Sequence, residues 1–258
     1  MASTPPAPKK RKAGDDEEDA EPIRDDDTWT TGDYALVSSD NVRFRVDLVH
    51  LLSAISVFRD MASVAAQGAD RELHFTDDSI ETAAVLERFL TLLIDATVDD
   101  KDIDRFSNFK HLASMTRFLV KYDCPFLMTV LGLRVKEMSS TGRSTLFMFI
   151  IGSIMDDTDL CISALSKKRR TWGETSVPDT NTTRNLTNFH CLNPQSLAYN
   201  RWSMIPGPYL YALHRAWALV GDSDDLKTKF QQVLDDVKGM SDPQWRRSSA
   251  HPPAARNT

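Results

Sequence analysis

The chain has 258 residues, of which 41% are hydrophobic and 26% charged, and its 31 basic and 37 acidic side chains give a formal charge of −6. A chain of this length can bury a core without disulfides or metals, and three cysteines with no CxxC pair argue against a disulfide framework and a structural zinc site. The longest apolar run, residues 146–155, is too short for a membrane helix, and no signal peptide is recognisable, so we expect an intracellular protein without membrane association.

Residues 1–27 are predicted to form a disordered tail. They carry nine acidic and five basic side chains and almost no large apolar ones, so burial cannot offset the entropy lost on ordering. Four consecutive cations within this tail, Lys9, Lys10, Arg11 and Lys12, have the shape of a basic nuclear-import signal. The alternative is a solvated charge run. We favour import, and therefore a nuclear rather than a cytoplasmic location.

A small sheet is predicted directly after the tail. Residues 34–38 and 42–46 alternate apolar and polar side chains on either side of a turn, which is typical of a β-hairpin. A third short strand is predicted at 72–76. The sequence therefore predicts three strands in the first third of the chain.

Helices are predicted around and after these strands. Apolar residues recur at helical spacing from Leu48 onwards, and Asp123-Cys124-Pro125 separates two later helices. Together with the strands, the helices predict an α+β domain over residues 28–140. Helical patterns continue over residues 143–240, and the polar residues 241–258 are predicted to be a second disordered tail.

Four blocks follow one another in the first domain: residues 33–46 (DYALVSSDNVRFRV), 56–61 (SVFRDM), 73–80 (LHFTDDSI) and 118–125 (FLVKYDCP). In this order they resemble the successive blocks of a BTB/POZ domain of the kind common in fungi. The helical stretch at residues 206–216 also resembles the C-terminal helical region of those proteins. The resemblance implies a short three-stranded sheet with a helical cluster, followed by an all-α region.

A search for catalytic chemistry finds structural explanations instead. Each acidic doublet, at residues 77–78, 156–157 and 224–225, precedes a helical pattern, where carboxylates cap amides and meet the positive end of the helix dipole. The six histidines have no metal-ligand spacing, and the sequence contains neither a nucleophile elbow nor a glycine-rich phosphate loop. We predict no catalytic, cofactor-binding or metal-binding residues, and therefore no enzyme.

The family resemblance implies homodimerisation through the first helix. The residues expected near the interface are Leu48, Leu51, Leu52, Ile55 and Phe58, although the alternative is that these residues only fill the core. Residues 28–258 carry 26 basic and 28 acidic side chains, so we expect protein partners and no direct contact with nucleic acid.

Two functional classes remain open within this interpretation. The first is a nuclear scaffold or transcriptional co-regulator, and the second is a substrate adaptor for a cullin-type ubiquitin ligase. Family members that bind cullin often carry an apolar-x-Glu motif in a loop after the third strand's helix, and the nearest equivalent here includes Val98 and Asp99. Because Asp is one methylene shorter than Glu, we expect weak or absent cullin binding, and the scaffold is favoured.

Overall fold

The computed structural model describes residues 22–54, 71–99, 106–140, 145–166, 199–221, 223 and 225–240. These residues form one small β-sheet and a larger number of helices, so the predicted α+β class is confirmed. The predicted tails, apart from residues 22–27, lie outside the described residues.

The sheet has four strands, not the predicted three, in the order β1-β3-β2-β4. β2 (Tyr34–Val37) and β3 (Val42–Val46) form the predicted antiparallel hairpin, in which Leu36 pairs with Phe44. β4 (Glu72–His74) runs parallel to β2. All four residues of β2 are buried, and Arg43 of β3 and Glu72 of β4, the strands on either side of it, form an ion pair at 3.1 Å.

β1 (Arg24–Thr30) was not predicted, and it corrects the boundary of the N-terminal tail, because residues 24–27 belong to a strand. The strand runs parallel to β3 at the edge of the sheet, with an irregular register between Asp25 and Thr30. Within this irregularity the Asp26 carboxylate accepts hydrogen bonds from the backbone amides of Thr28 and Trp29, at 2.8 and 2.9 Å. These amides are therefore satisfied within the chain, and the charged strand protects the sheet edge.

Nine helices lie in the described part of the chain. The break between the third and fourth helices is where it was predicted: Asp123 has a positive φ of 48°, and Pro125 begins the next helix, a position that proline tolerates. The helices are α1 (Leu48–Ala54), α2 (Ala83–Asp95), α3 (Phe106–Lys121), α4 (Pro125–Ser140), α5 (Thr145–Ile154), α6 (Thr158–Leu165), α7 (Tyr199–Trp202), α8 (Gly207–Val220) and α9 (Leu226–Gly239).

Carboxylates of the hairpin cap the first two helices. Asp33, just before β2, accepts a hydrogen bond from the Leu48 amide at 2.8 Å, and Asp40, in the β2–β3 turn, accepts one from the Ala83 amide at 2.7 Å. The prediction that residues 77–78 cap α2 is wrong. The helix begins only at Ala83, and the Asp77 carboxylate instead accepts from the Ser79 amide, closing a local turn.

The other two acidic doublets differ from each other. Asp157 caps α6 as predicted, because its side chain accepts a hydrogen bond from the Leu160 amide at 2.9 Å. Asp225 stands at the start of α9 but makes no capping hydrogen bond with its side chain. An aspartate directly before a helix therefore caps it with its side chain in only one of these two cases.

The buried apolar side chains of the sheet and of the helices form one continuous core. α3 lies at its centre, with Phe109, Phe118 and Leu119 fully buried. α5 and α6 pack closely at Gly152, where an added Cβ would lie 3.0 Å from the Leu160 Cβ. The C-terminal helices join the same core, and the ring centroids of Phe149 and Phe230 are 5.5 Å apart.

Candidate functional site

Three of the five predicted dimer-interface residues lie on α1, and they differ in burial. Leu51 is fully buried and belongs to the core of the chain. Leu48 and Leu52 are half-buried, and Ile55 and Phe58 lie outside the described residues. Leu48, the first residue of α1, has its amide capped by Asp33, which fixes the start of the helix against the hairpin.

Val49 is the apolar residue of α1 that faces solvent most, with 66% of its surface exposed. It was missed because it lies outside the heptad-like stripe that marks the buried face of the helix. We call Leu48, Val49 and Leu52 the α1 surface. The pairing of an exposed valine with two half-buried leucines leaves an apolar patch on this short helix.

The predicted partner loop follows the C-terminus of α2. The helix ends at Asp95, and its C-cap residue Ala96 has a positive φ of 50°. The Arg134 side chain on α4 donates a hydrogen bond to the Ala96 carbonyl at 2.9 Å. Val98 is half-buried against the core, and Asp99 is exposed. The loop is therefore anchored at its base by an arginine and at its centre by an apolar side chain.

A cavity of about 170 Å³ opens beside this loop, and we call it the α2–α3 cavity. Leu112 and Met115 of α3, both almost fully buried, form its apolar base. This volume is well below the roughly 300 Å³ at which pockets for small-molecule ligands begin, so it suits a single side chain better than a cofactor. The other lining residues are Glu87, Arg88 and Thr91 of α2 and Thr97, Val98 and Asp99 of the loop.

A buried carboxylate, Glu81, organises the segment between β4 and α2. Its side chain is 3% exposed and accepts hydrogen bonds from Lys121 and from the Tyr122 hydroxyl, each at 2.6 Å. The backbone amides of Thr76 and Asp77 donate to its other oxygen, at 2.9 and 2.7 Å. No local sequence pattern marks Glu81, because its partners lie about 40 residues away on α3 or are backbone groups.

Four hydrogen-bond donors stabilise the negative charge of the buried Glu81 carboxylate. Burial alone would raise the pKa of its carboxyl group, but the hydrogen bonds from Lys121, Tyr122 and the two amides outweigh burial and lower it. The pKa of Asp77 is lowered too, chiefly by the Ser79 hydroxyl and by Lys121. For Tyr122, burial and the bond to Glu81 raise the pKa of the phenol. Each group is thus held in its resting protonation state.

A second polar cluster joins the α5–α6 turn to the last two helices. Lys238 on α9 contacts the Asp156 carboxylate at 2.7 Å and the Tyr209 hydroxyl at 3.1 Å. Tyr209 also donates to Asp156 at 2.8 Å. Burial is the main cause that raises the pKa of Tyr209 to about 12, so this hydroxyl stays protonated and acts as a structural donor.

The two described cysteines are buried and unreactive. Burial raises the pKa of the Cys124 thiol to about 12 and raises that of Cys161 well above its ordinary value. Thiols in this state are poor nucleophiles and poor metal ligands. Within the described ranges, no group of three or more histidine, cysteine or acidic side chains is arranged to hold a metal ion.

The remaining predictions concern the nuclear-import signal and membrane association. The basic run Lys9, Lys10, Arg11 and Lys12 lies outside the described residues. In the part of the chain that the structure describes, none of the helices has the length and apolar character needed to cross a membrane.

No protein-family model, no curated protein and no solved structure matches this chain.

Proposed function

We propose that this chain is a non-enzymatic protein-interaction module. It carries a BTB/POZ-like domain with a helical C-terminal region, forms homodimers through the α1 surface, and works in the nucleus as a scaffold or transcriptional co-regulator. The observation that carries the proposal is the exposed Val49 between two half-buried leucines on α1, the helix to which the family resemblance assigns dimerisation. Apolar side chains at such a position gain most when a partner removes them from water.

The order of elements supports the BTB/POZ-like part of this proposal. A β-hairpin leads into α1, a short strand returns parallel to β2, and a run of helices follows. The unpredicted β1 adds a strand to the sheet beyond the three that the resemblance implies.

Several polar side chains among the described residues support a non-enzymatic role. The perturbed pKa values of Cys124, Cys161, Tyr122 and Tyr209 are all shifted towards the neutral, less reactive form. The carboxylates of Glu81 and Asp156 are occupied by lysine and tyrosine partners. A nucleophile or general base needs the opposite shift and a vacant position for substrate.

Sedimentation of the full chain tests the assembly. The wild-type chain should sediment as a dimer at micromolar concentration, and Val49→Glu should weaken the dimer because it places a charge in an apolar contact. Leu219→Glu on α8, where the leucine is 50% exposed, is the matched control and should leave the dimer unchanged. A wild-type monomer at every accessible concentration would remove the dimer from this proposal.

The second candidate function is the cullin adaptor, because Val98 and Asp99, the nearest equivalent of the cullin-binding motif, lie in the loop after α2, where Asp99 is exposed. Titration of the full chain with a cullin N-terminal domain distinguishes the two functions. Weak or no binding is expected. Submicromolar binding that is weakened by Asp99→Lys would contradict the scaffold function and support the ubiquitin-ligase adaptor.

The nuclear part of the proposal has its own experiment. A fluorescent fusion of the full chain should leave the nucleus when Lys9, Lys10, Arg11 and Lys12 are all replaced by alanine. An unchanged nuclear signal would mean that the run is only solvated charge.

A further inference from the structure

The outer side of β4 is an open edge of the sheet. β4 pairs with β2 on one side and is the last strand of the sheet within the described residues. At the opposite edge, β1 is irregular, and the Asp26 carboxylate accepts hydrogen bonds from its Thr28 and Trp29 amides. The sequence of β4, ELH, contains neither the proline nor the lysine that often protects an edge. β4 is therefore the edge at which another extended chain can add to the sheet.

The backbone groups of Glu72 and His74 point towards this open edge. The Arg71 carbonyl accepts a hydrogen bond from β2 at 2.9 Å, and the Phe75 amide donates one to β2 at 2.8 Å. In a paired strand the backbone groups of successive residues alternate in direction, so the odd-numbered residues of this segment face β2. The N–H and C=O groups of residues 72 and 74 therefore point away from β2.

The open edge is short and has a defined end. The Thr76 and Asp77 amides donate to the Glu81 carboxylate, so the chain itself satisfies the backbone amides that follow β4. The groups offered to a partner are thus one N–H and one C=O from each of Glu72 and His74. A partner strand as short as β4 itself satisfies them.

β4 is complementary to a second copy of itself. When two β4 strands lie antiparallel with a two-fold axis at Leu73, Glu72 of each copy lies opposite His74 of the other. Opposite residues in an antiparallel ladder alternate between pairs that exchange two hydrogen bonds and pairs that exchange none. Because the backbone groups of Glu72 and His74 point outwards, the two Glu72–His74 pairs are the hydrogen-bonded ones. All the outward groups of both strands are then used.

The side chains add charge complementarity to this arrangement. Glu72 and His74 lie on the same face of β4, with the His74 Nε2 3.5 Å from one Glu72 oxygen, and Arg43 of β3 contacts the other oxygen at 3.1 Å. An antiparallel pair places each Glu72 carboxylate opposite an imidazole. A parallel pair in register would place it opposite a second carboxylate, which is destabilising. The charges therefore favour the antiparallel pair.

We propose that β4 pairs with β4 of a second copy of this chain, antiparallel about Leu73, so that the two sheets join into one. The contact is separate from the α1 surface and does not rest on it. Because only three residues of each chain pair, the contact alone is weak, with a dissociation constant on the order of 0.1–1 mM. In a chain that also dimerises through α1, it links dimers into larger assemblies as the concentration rises.

Sedimentation equilibrium of the full chain carrying Val49→Glu tests this pairing, because that substitution weakens association through α1. The Val49→Glu chain should form dimers between about 0.1 and 1 mM. Adding His74→Pro removes the outward amide of β4 but none of the hydrogen bonds to β2, a position that proline tolerates in an edge strand. It should weaken the dimer about tenfold or more and leave the urea midpoint nearly unchanged.

A charge exchange tests the same register without altering the backbone. His74→Glu, in the Val49→Glu chain, places carboxylates opposite each other at both pairs and should weaken the dimer about threefold or more. Adding Glu72→Lys brings opposite charges together again and should restore the dissociation constant to within about twofold. Leu219→Glu, at an exposed position on α8, is the control and should have no effect.

Two results would overturn the proposal. The first is a Val49→Glu chain that stays monomeric up to about 1 mM. The second is a dimer of that chain that neither His74→Pro nor His74→Glu weakens, because its contact would then lie elsewhere.

Discussion

Glu81 illustrates how one residue can hold a loop that has no regular structure. Each of its two carboxylate oxygens has two donors, which come from α3 and from the backbone of the segment before α2. Lys121 and Tyr122 lie at the end of α3, where Phe75 also packs edge-on against the Tyr122 ring. The carboxylate therefore links β4, α2 and α3 at one point.

Replacing Glu81 by alanine should be among the most destabilising single changes in the chain. The substitution leaves two amides, the Tyr122 hydroxyl and Lys121 without their acceptor, and breaking a buried pair in this way costs about 3–5 kcal/mol. Asp78→Ala, at an exposed neighbouring position, should change the free energy of unfolding by less than about 0.5 kcal/mol. Urea unfolding of both variants gives the comparison, and similar losses would show that Glu81 has no special role.

The same cluster predicts how stability depends on pH. Because the pKa values of Glu81 and Asp77 are lowered in the folded chain, the unfolded chain binds protons first as the pH falls. Their contribution is fully present above the ordinary values of 4.5 and 3.8 and is lost as the pH falls through the lowered ones. The urea midpoint should fall less steeply between about pH 5 and pH 3 in Glu81→Ala than in the wild type. The same pH dependence of the urea midpoint in Glu81→Ala and the wild type would contradict this role of Glu81.

Local sequence patterns predicted only some of these residue-scale contacts. The Asp157 cap was predictable, because a cap and the amide it binds lie three residues apart. Asp33, Asp40 and Glu81 bind groups that lie 15 to 43 residues away or on the irregular backbone, and these contacts depend on the tertiary fold. A doublet such as residues 77–78 was misassigned because it resembles a cap while its helix starts later.

At the scale of elements, α1 has one face in the core and one in solvent. Leu51 and Val49 differ by two positions and have opposite environments, 0% and 66% exposed. The family resemblance alone could not separate them, because a stripe of leucines describes both the buried face and an interface. In the structure, Val49 and not Leu51 is the apolar residue of α1 that faces solvent.

Two alanine substitutions on α1 should separate core from surface. Leu51→Ala should lower the free energy of unfolding by about 2–5 kcal/mol, because it removes buried methyl groups and leaves a cavity. Val49→Ala should change it by less than about 0.5 kcal/mol when the chain is dilute enough to be monomeric. Thermal or urea unfolding at low concentration measures both, and a large loss for Val49→Ala would place that residue in the core.

β1 shows the limit of pattern-based prediction at this scale. Its sequence, RDDDTWT, contains three consecutive aspartates and one half-buried aromatic residue, a composition that predicts a disordered tail. The strand forms because β3 offers a partner edge and Asp26 satisfies two amides within the irregular register. The hairpin and the long helices were predicted correctly because their apolar spacing is self-contained.

At the scale of the whole molecule, the C-terminal helices are tied to the first domain by several contacts. The Arg117 side chain on α3 donates to the Met204 carbonyl at 3.0 Å, and Phe149 and Phe230 pack across the core. Lys238 and Asp156 join the end of α9 to the α5–α6 turn. The sequence suggested two successive regions, because periodicity within each helix says nothing of how the regions pack together.

This shared core predicts one cooperative unfolding transition. Single-tryptophan variants that retain Trp29 in β1 or Trp217 on α8 should show the same urea midpoint. Phe149→Ala should lower the free energy of unfolding measured by either tryptophan by about 3–5 kcal/mol. Fluorescence of the two variants is the measurement. Separate midpoints would show that residues 28–140 and 143–240 unfold independently.

The central claim, self-association through the α1 surface, is tested most directly by disulfide cross-linking at position 49. Only a residue close to the two-fold axis of a dimer meets its own copy, and the account puts Val49, the most exposed apolar residue of α1, at that axis. Val49→Cys in a Cys191→Ser background should then give a covalent dimer on mild oxidation. Cys124 and Cys161 are buried and should not react. Leu219→Cys, an exposed position on α8, should remain monomeric on denaturing gels, and equal cross-linking at both positions, or none at 49, would contradict the account.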